Sequence, residues 1–169
     1  MLASASRRLL SSARAAPLPY RILGVQQVAI GGADLPGLTE LWGGALCASK
    51  VGDFRSEREN VDENIMTLGK GKLGTVEIDL MTALDPAKKP NPSSPALNHI
   101  GLWVDDLPSC HSHLSSLGYV FTPGGIRPGA AGHDICFLHP KPREGLGGQG
   151  VLIELVQAPP DVIEAWEKA

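Results

Sequence analysis

Aromatic residues make up only 5% of the 169-residue chain, and cysteine is scarcer still, at three. Cys47, Cys110 and Cys136 are far apart and odd in number. They show none of the paired spacings of zinc or dithiol motifs, so they read as buried, reduced thiols without a catalytic part. No apolar run approaches the roughly 20 residues that a membrane-spanning helix needs. Basic surplus is also missing: the formal net charge is −3 and the pI about 5.9, which argues against a nucleic-acid surface. With 43% hydrophobic and 20% charged residues, the composition fits one compact domain of modest size. Its expected target is a small molecule.

Acidic residues are absent before Asp34, while the first twenty positions carry Arg7, Arg8 and Arg14 among Ala, Ser and Leu. A basic, acid-free, Ser-rich start reads as a mitochondrial presequence over residues 1–20. The mature protein is then expected in the matrix, a reducing compartment that agrees with free thiols.

The rest of the chain resembles itself. Val25-Gln26-Gln27-Val28-Ala29-Ile30, followed by Asp34-Leu35-Pro36, returns as Leu97-Asn98-His99-Ile100-Gly101-Leu102, followed by Asp106-Leu107-Pro108. A second pair, Val76-Glu77-Ile78-Asp79-Leu80 and Val151-Leu152-Ile153-Glu154-Leu155, recurs at nearly the same offset. The chain is a tandem duplication, and its matched positions carry metal-capable groups: Gln27 with His99, and Asp79 with Glu154.

Each half opens on a β-like run, Val25 to Ile30 or Leu97 to Val104. An acid near a proline then signals a helix start. Helices are expected over about Pro36 to Leu46 and Pro108 to Leu117, the second stopping at Gly118. Strands are expected over Asn60 to Leu68 and Thr75 to Met81, then Tyr119 to Thr122, Asp134 to His139 and Val151 to Val156. The implied module is βαβββ, used twice: residues 22–84 and 97–158. The linker 85–96, with Pro86, Pro90, Pro92 and Pro95, joins them, and the tail 159–169 holds a short helix with Trp166 as a packing residue. Each module is too small to bury a full core alone, so an α+β fold is expected in which both pack as one unit around a shared cleft.

Alternation places Glu77 and Asp79 on one face of their strand, with Val76, Ile78 and Leu80 on the other. Glu154 likewise opposes Ile153 and Leu155. Solvent exposure is one way to place such acids. Their recurrence at matching positions of two apolar strands, with His99 standing for Gln27, instead favours a cation between the halves, because a buried carboxylate must be paired or coordinated. His111 and His113, two apart on a helix, face different ways and do not suit a joint metal site. His133 lies in the loop Gly129-Ala130-Ala131-Gly132, either exposed or over a ligand, and His139 reads as turn chemistry before Pro140.

These residues resemble the vicinal oxygen chelate superfamily and, within it, the methylmalonyl-CoA epimerase family. The likeness spans Ile22 to Pro159 and is carried by Leu97-Asn98-His99-Ile100, Val104-Asp105-Asp106-Leu107, Phe137-Leu138-His139-Pro140-Lys141 and Gly150-Val151-Leu152-Ile153-Glu154-Leu155-Val156-Gln157. It implies one vicinal-oxygen-chelate domain built from two tandem βαβββ modules. It also implies a divalent metal held by Gln27, Asp79, His99 and Glu154, with Glu77 as the alternative to Asp79. The catalytic glutamates fall on Glu63 and Glu154, with Glu57 or Glu59 as alternatives to Glu63. Where epimerases carry His in the first strand, this chain has Gln27; glyoxalase I can carry a Gln-Gln pair at that place. The mixed oxygen and nitrogen donors suit Co2+, Mn2+, Ni2+ or Zn2+ with open positions.

Three functions follow from the resemblance. One is epimerisation of methylmalonyl-CoA, in which a metal stabilises the enolate and two carboxylates move a proton between faces. Another is a lactoylglutathione lyase acting on a glutathione adduct. The third is a metal-free paralogue serving as a structural subunit of a mitochondrial assembly. Lys70, Lys72, Arg127, Lys141 and Arg143 are available for a CoA tail, and a homodimer is the assembly the superfamily suggests.

Overall fold

A computed structural model describes residues 17–169. The segment read as a presequence lies outside the described residues up to residue 16, and Tyr20 already packs against the core cluster of Leu107 and Cys110.

The duplication is visible as one mixed eight-stranded sheet with strand order β2-β3-β4-β1-β5-β8-β7-β6. The first half contributes β1 (Ile22–Gly31), α1 (Leu35–Thr39), β2 (Ser49–Ser56), β3 (Val61–Leu68) and β4 (Val76–Ala83). The second contributes β5 (Leu97–Val104), α2 (Leu107–Ser116), β6 (Arg127–Pro128), β7 (Asp134–Leu138), β8 (Ile153–Gln157) and the closing helix α3 (Pro160–Glu167). Within each half the first strand pairs parallel with the last: β1 with β4, and β5 with β8. The halves join edge to edge through antiparallel β1 and β5. The register repeats with the sequence, since Ala29 stands opposite Asp79 and Gly101 opposite Glu154.

Alternation divides the sheet into two faces. Ile78, Leu80 and Met66 gather with Trp42 and Leu38 under α1, while Val104, Cys136 and Leu155 gather with Leu107 and Cys110 under α2. The opposite face curls around the cleft and carries buried polar residues, interleaved with Phe54, Ile65, Met81 and Phe137. Cys110 and Cys136 are buried as expected; Cys47 is exposed, on a left-handed residue between the first helix and β2.

Three local expectations need correction. The first helix is α-helical only over Leu35–Thr39 and continues as a π-helix, Glu40–Ala45. Its Asp34 makes no capping bond, Thr39 bonds back to the Leu35 carbonyl at 2.8 Å, and Gly43-Gly44 add little helix preference. In α2, by contrast, Asp106 caps the Ser109 N–H at 2.9 Å, and the helix ends before Gly118 at φ +91. Strand β2 was not expected, because it is an edge strand whose Lys, Asp, Arg and Gly keep it exposed. Residues 119–122 form two isolated bridges, Tyr119 with Leu146 and Phe121 with Leu138, rather than a strand. The two-residue β6 takes the corresponding place in the sheet.

The proline-rich linker is tied down. Asn60 donates to the carbonyls of Asp85 and Pro90, both at 2.9 Å, and Asn98 donates to the carbonyl of Pro92 at 3.1 Å.

Candidate functional site

The curled face encloses a cavity of about 310 Å³ lined from both halves by Gln26, Gln27, Glu63, Glu77, Asp79, His99, Arg127, Phe137 and Glu154, among others. Gln27, Glu63, Asp79, His99 and Glu154, the residues expected at the site, are all brought to it. Of the alternatives to Glu63, Glu59 reaches the rim, whereas Glu57 is exposed and faces Arg55 at 3.4 Å.

Gln27 occupies the centre. Its amide nitrogen lies 2.7 Å from His99 Nε2 and donates to Glu154 Oε2 at 2.7 Å, and His99 Nε2 is 3.2 Å from that same carboxylate. Gln27 and His99, equivalent in the duplication, therefore meet across the β1–β5 seam. Neighbouring residues of a strand normally face opposite ways, yet Gln26 and Gln27 both reach the cleft. A register shift between Val25 and Gln27 in the pairing with β5 makes this possible. Gln26, 3% exposed, donates to Glu77 Oε2 at 2.9 Å. Glu77 is thereby held by an amide, while Asp79 Oδ1 is buried without a partner.

Five carboxylates line this cavity, Glu59 at its rim, and burial governs the protonation of Glu63, Glu77 and Asp79. Glu63 is pushed up to about 8, first by burial and then by the charges of Asp79, Glu154, Glu77 and Glu59. Asp79 is raised to about 7 by burial and Glu77, with His99 opposing. Glu77 is also raised by burial, while the Gln26 hydrogen bond and His133 pull it back. Arg127 is the one Lys or Arg against these acids among the described residues, so negative charge is in surplus, a condition that either protons or a cation can relieve.

A divalent metal fits this donor set. His99 Nε2, Glu154 and the Gln27 amide converge, Asp79 Oδ1 has no partner, and the surplus negative charge calls for a cation. Among the described residues, no three His, Cys, Asp or Glu side chains are drawn together as tightly as bound ligands. The Gln27 amide nitrogen fills the space between His99 and Glu154, and ligation through its oxygen requires only that the amide turn over.

The remaining histidines and cations sort clearly. His111 stacks near Phe121 at 4.2 Å and His113 near Tyr20 at 5.9 Å, so both serve packing. His139 Nδ1 accepts from the Lys141 N–H at 3.0 Å, a turn contact. His133 is half-buried, lines the cavity and meets Trp103 edge-on at 5.2 Å. Lys72 pairs with Asp161 at 2.6 Å, and Arg127 lines the cavity itself. Trp166 lies under Arg21, 4.6 Å from its ring centroid, as packing. Sequence reasoning gave no role to Gln26, Asn98 or Phe137. The consecutive glutamines inside one strand were the available signal for the first.

The family model for the glyoxalase/bleomycin resistance protein/dioxygenase superfamily matches residues 26–137, most of the two-module region. The chain belongs to that superfamily. No curated protein matches it by sequence. Among solved structures, a methylmalonyl-CoA epimerase from Mycobacterium tuberculosis is similar over 90% of this chain and 99% of its own, with a TM-score of 0.69 and 25% identity. The Streptomyces coelicolor methylmalonyl-CoA epimerase in complex with 2-nitronate-propionyl-CoA matches over 82% and 99%, with a TM-score of 0.68 and 19% identity. A methylmalonyl-CoA epimerase in complex with methylmalonyl-CoA and ammonium matches over 83% and 98%, with a TM-score of 0.67 and 20% identity. As a superfamily member the chain has the fold expected of it, two βαβββ modules around a cleft. No helix among the described residues is long and apolar enough to cross a membrane.

Proposed function

We propose that this protein is a metal-dependent epimerase that moves a proton at the carbon next to a thioester, with methylmalonyl-CoA as substrate, in the mitochondrial matrix. The observation that carries the reading is Glu63. It is a buried carboxylate pushed up to about 8, lining the same cavity as Glu154 but rooted on β3 of the other half. A base whose pKa lies near neutrality is matched to taking and returning a carbon-bound proton. Epimerisation asks for two proton-carrying groups, because the proton leaves one face of the carbon and returns on the other. Glu63 and Glu154, from different halves, supply them. The solved epimerases that share the fold support the substrate class.

Gln27, Asp79, His99 and Glu154 are the residues that would hold a divalent ion such as Co2+, Mn2+, Ni2+ or Zn2+. Such an ion would supply Lewis-acid stabilisation of the negative charge that develops on the thioester oxygen. The chain's own part is to orient the acyl group and to exclude water beneath the loop of Gly129 to His133. Glu63 and Glu154 carry the proton.

A second reading, isomerisation of a glutathione hemithioacetal, is favoured by Gln27 at the position of the usual histidine. The test is solvent deuterium exchange at the α-carbon of methylmalonyl-CoA, followed by mass spectrometry with and without added metal. Metal-dependent exchange that disappears in Glu63→Gln, with metal still bound, is the expected result. Full activity of Glu63→Gln on a glutathione adduct sinks the epimerase reading. Failure to bind any transition metal at saturation moves the protein to a structural role in a larger mitochondrial assembly.

A further inference from the structure

We propose that Arg127 selects for an acyl group that bears its own free carboxylate by pairing with that carboxylate inside the cavity. This rests on the thioester reading above and names the residue that would make the substrate a malonyl-type thioester rather than a simple acyl-CoA.

Arg127 is the only Lys or Arg among the described residues lining the 310 Å³ cavity. Glu63, Glu77, Asp79 and Glu154 line the same space, yet none pairs with it, and its Nη1 is buried with no hydrogen-bond partner. A guanidinium cannot shed its charge in a protein, so a buried N–H without an acceptor is costly until an anion arrives. The cavity acids do not serve, because Glu77 and Glu154 accept from Gln26 and Gln27 and none of the four forms an ion pair with it. An incoming carboxylate does, and guanidinium and carboxylate match in shape as well as charge.

The guanidinium is placed rather than floating. It lies over the Phe137 ring, 5.2 Å from the centroid, and that same ring meets His99 at 5.5 Å. Arg127 pairs with Ile135 in the β6–β7 ladder. The loop between them is closed by Gly129 N–H to the His133 carbonyl at 2.7 Å and Gly132 N–H to the Gly129 carbonyl at 3.1 Å. Gly129 has no room for a side chain, since a Cβ there would lie 2.9 Å from Ile135 Cγ2. Arg127 and His99 thus both contact one aromatic ring.

Two anchor points around one ring suit the chemistry. When a malonyl-type α-carbon inverts, its hydrogen moves from one face to the other while the thioester and the carboxylate need to stay in place. Holding the thioester on the Gln27–His99 wall and the carboxylate on Arg127 fixes both. The proton then leaves the carbon to one glutamate, its bonding pair enters the thioester carbonyl, and a proton returns from the other glutamate.

Calorimetric titration with methylmalonyl-CoA and propionyl-CoA, which differ by that one carboxylate, tests the assignment. Wild type is expected to prefer methylmalonyl-CoA. Arg127→Met should lose about ten- to a hundredfold of the preference, the worth of a charge-assisted hydrogen bond, and bind propionyl-CoA as before. Arg127→Lys, which keeps the charge, should retain part of it and controls for folding. Equal weakening toward both thioesters in Arg127→Met would assign the residue to the CoA tail or to cavity shape and overturn the proposal. Unchanged preference in that variant would overturn it too, with the thioester reading intact. No preference in wild type, together with no deuterium exchange, removes both.

Discussion

Nδ1 of His99 lies 3.0 Å from Oδ1 of its neighbour Asn98. The Asn98 amide cannot be turned the other way without loss, because its nitrogen donates to the Pro92 carbonyl at 3.1 Å. Its oxygen therefore faces the imidazole, and His99 carries its proton on Nδ1. That leaves the Nε2 lone pair to accept from the Gln27 amide, whose nitrogen also donates to Glu154. The proline-rich linker thus reaches the site through one amide and fixes which histidine nitrogen is available.

Replacing Asn98 with Ala should weaken divalent-metal binding about ten- to a hundredfold, the usual cost of removing a partner that orients a histidine ligand. Fold stability should change little, because Asn98 is half-buried and lies outside the apolar clusters. Titration with Co2+ followed by absorbance checks this; unaltered affinity would mean that His99 keeps its orientation without Asn98.

The gathering of the site residues at one cavity was legible in the sequence because of the duplication. Gln27 with His99, and Asp79 with Glu154, stand out as polar positions recurring at matched places in apolar strands. The alternation rule alone put Glu77 and Asp79 on one face. The strand bulge was not legible, since no residue type encodes it. Gln26 was therefore seen only as part of a motif, although it holds Glu77. Strand β2 was missed for a related reason: an exposed edge strand needs no apolar pattern, so Lys50, Asp53 and Arg55 carry no strand signal. The π-helical turn at Glu40–Ala45 replaces a regular helix where Gly43 and Gly44 weaken the local preference.

Metal-free protein should become less stable as pH rises from about 5 to 8. Unfolded carboxylates ionise near pH 4, whereas Glu63 holds its proton to about 8 and Asp79 to about 7. Across that window the native state binds more protons than the unfolded one, so each group costs on the order of 1.4 kcal/mol per pH unit until its folded pKa is passed. Glu63→Gln should flatten the upper part of the curve. Saturating metal should oppose the trend, since deprotonated carboxylates bind it better, and the gap between metal-loaded and metal-free melting temperatures should widen with pH. A metal-free melting temperature that climbs over pH 5 to 8 would show that these carboxyls titrate as exposed ones.

Gly101 sits opposite Gln27 on β5 and beside Glu154 on β8. A Cβ added there would lie 2.7 Å from Gln27 Cγ and 2.8 Å from Gln26 Oε1, too close for either glutamine to stay. Its backbone is ordinary strand, so the cost of Gly101→Ala falls on these side chains, roughly 1–3 kcal/mol of overpacking. Gly52 on β2 provides the control, because its nearest neighbour would be Ile65 Cδ1 at 3.8 Å, and Gly52→Ala should melt near wild type. Displacing Gln27 removes the amide that joins His99 to Glu154, so Gly101→Ala should also bind Co2+ at least about tenfold more weakly. The two losses are separable by experiment. A Gly101→Ala protein that melts early yet binds cobalt as wild type does would take Gln27 out of the ligand set, leaving His99, Glu154 and Asp79 to hold the ion.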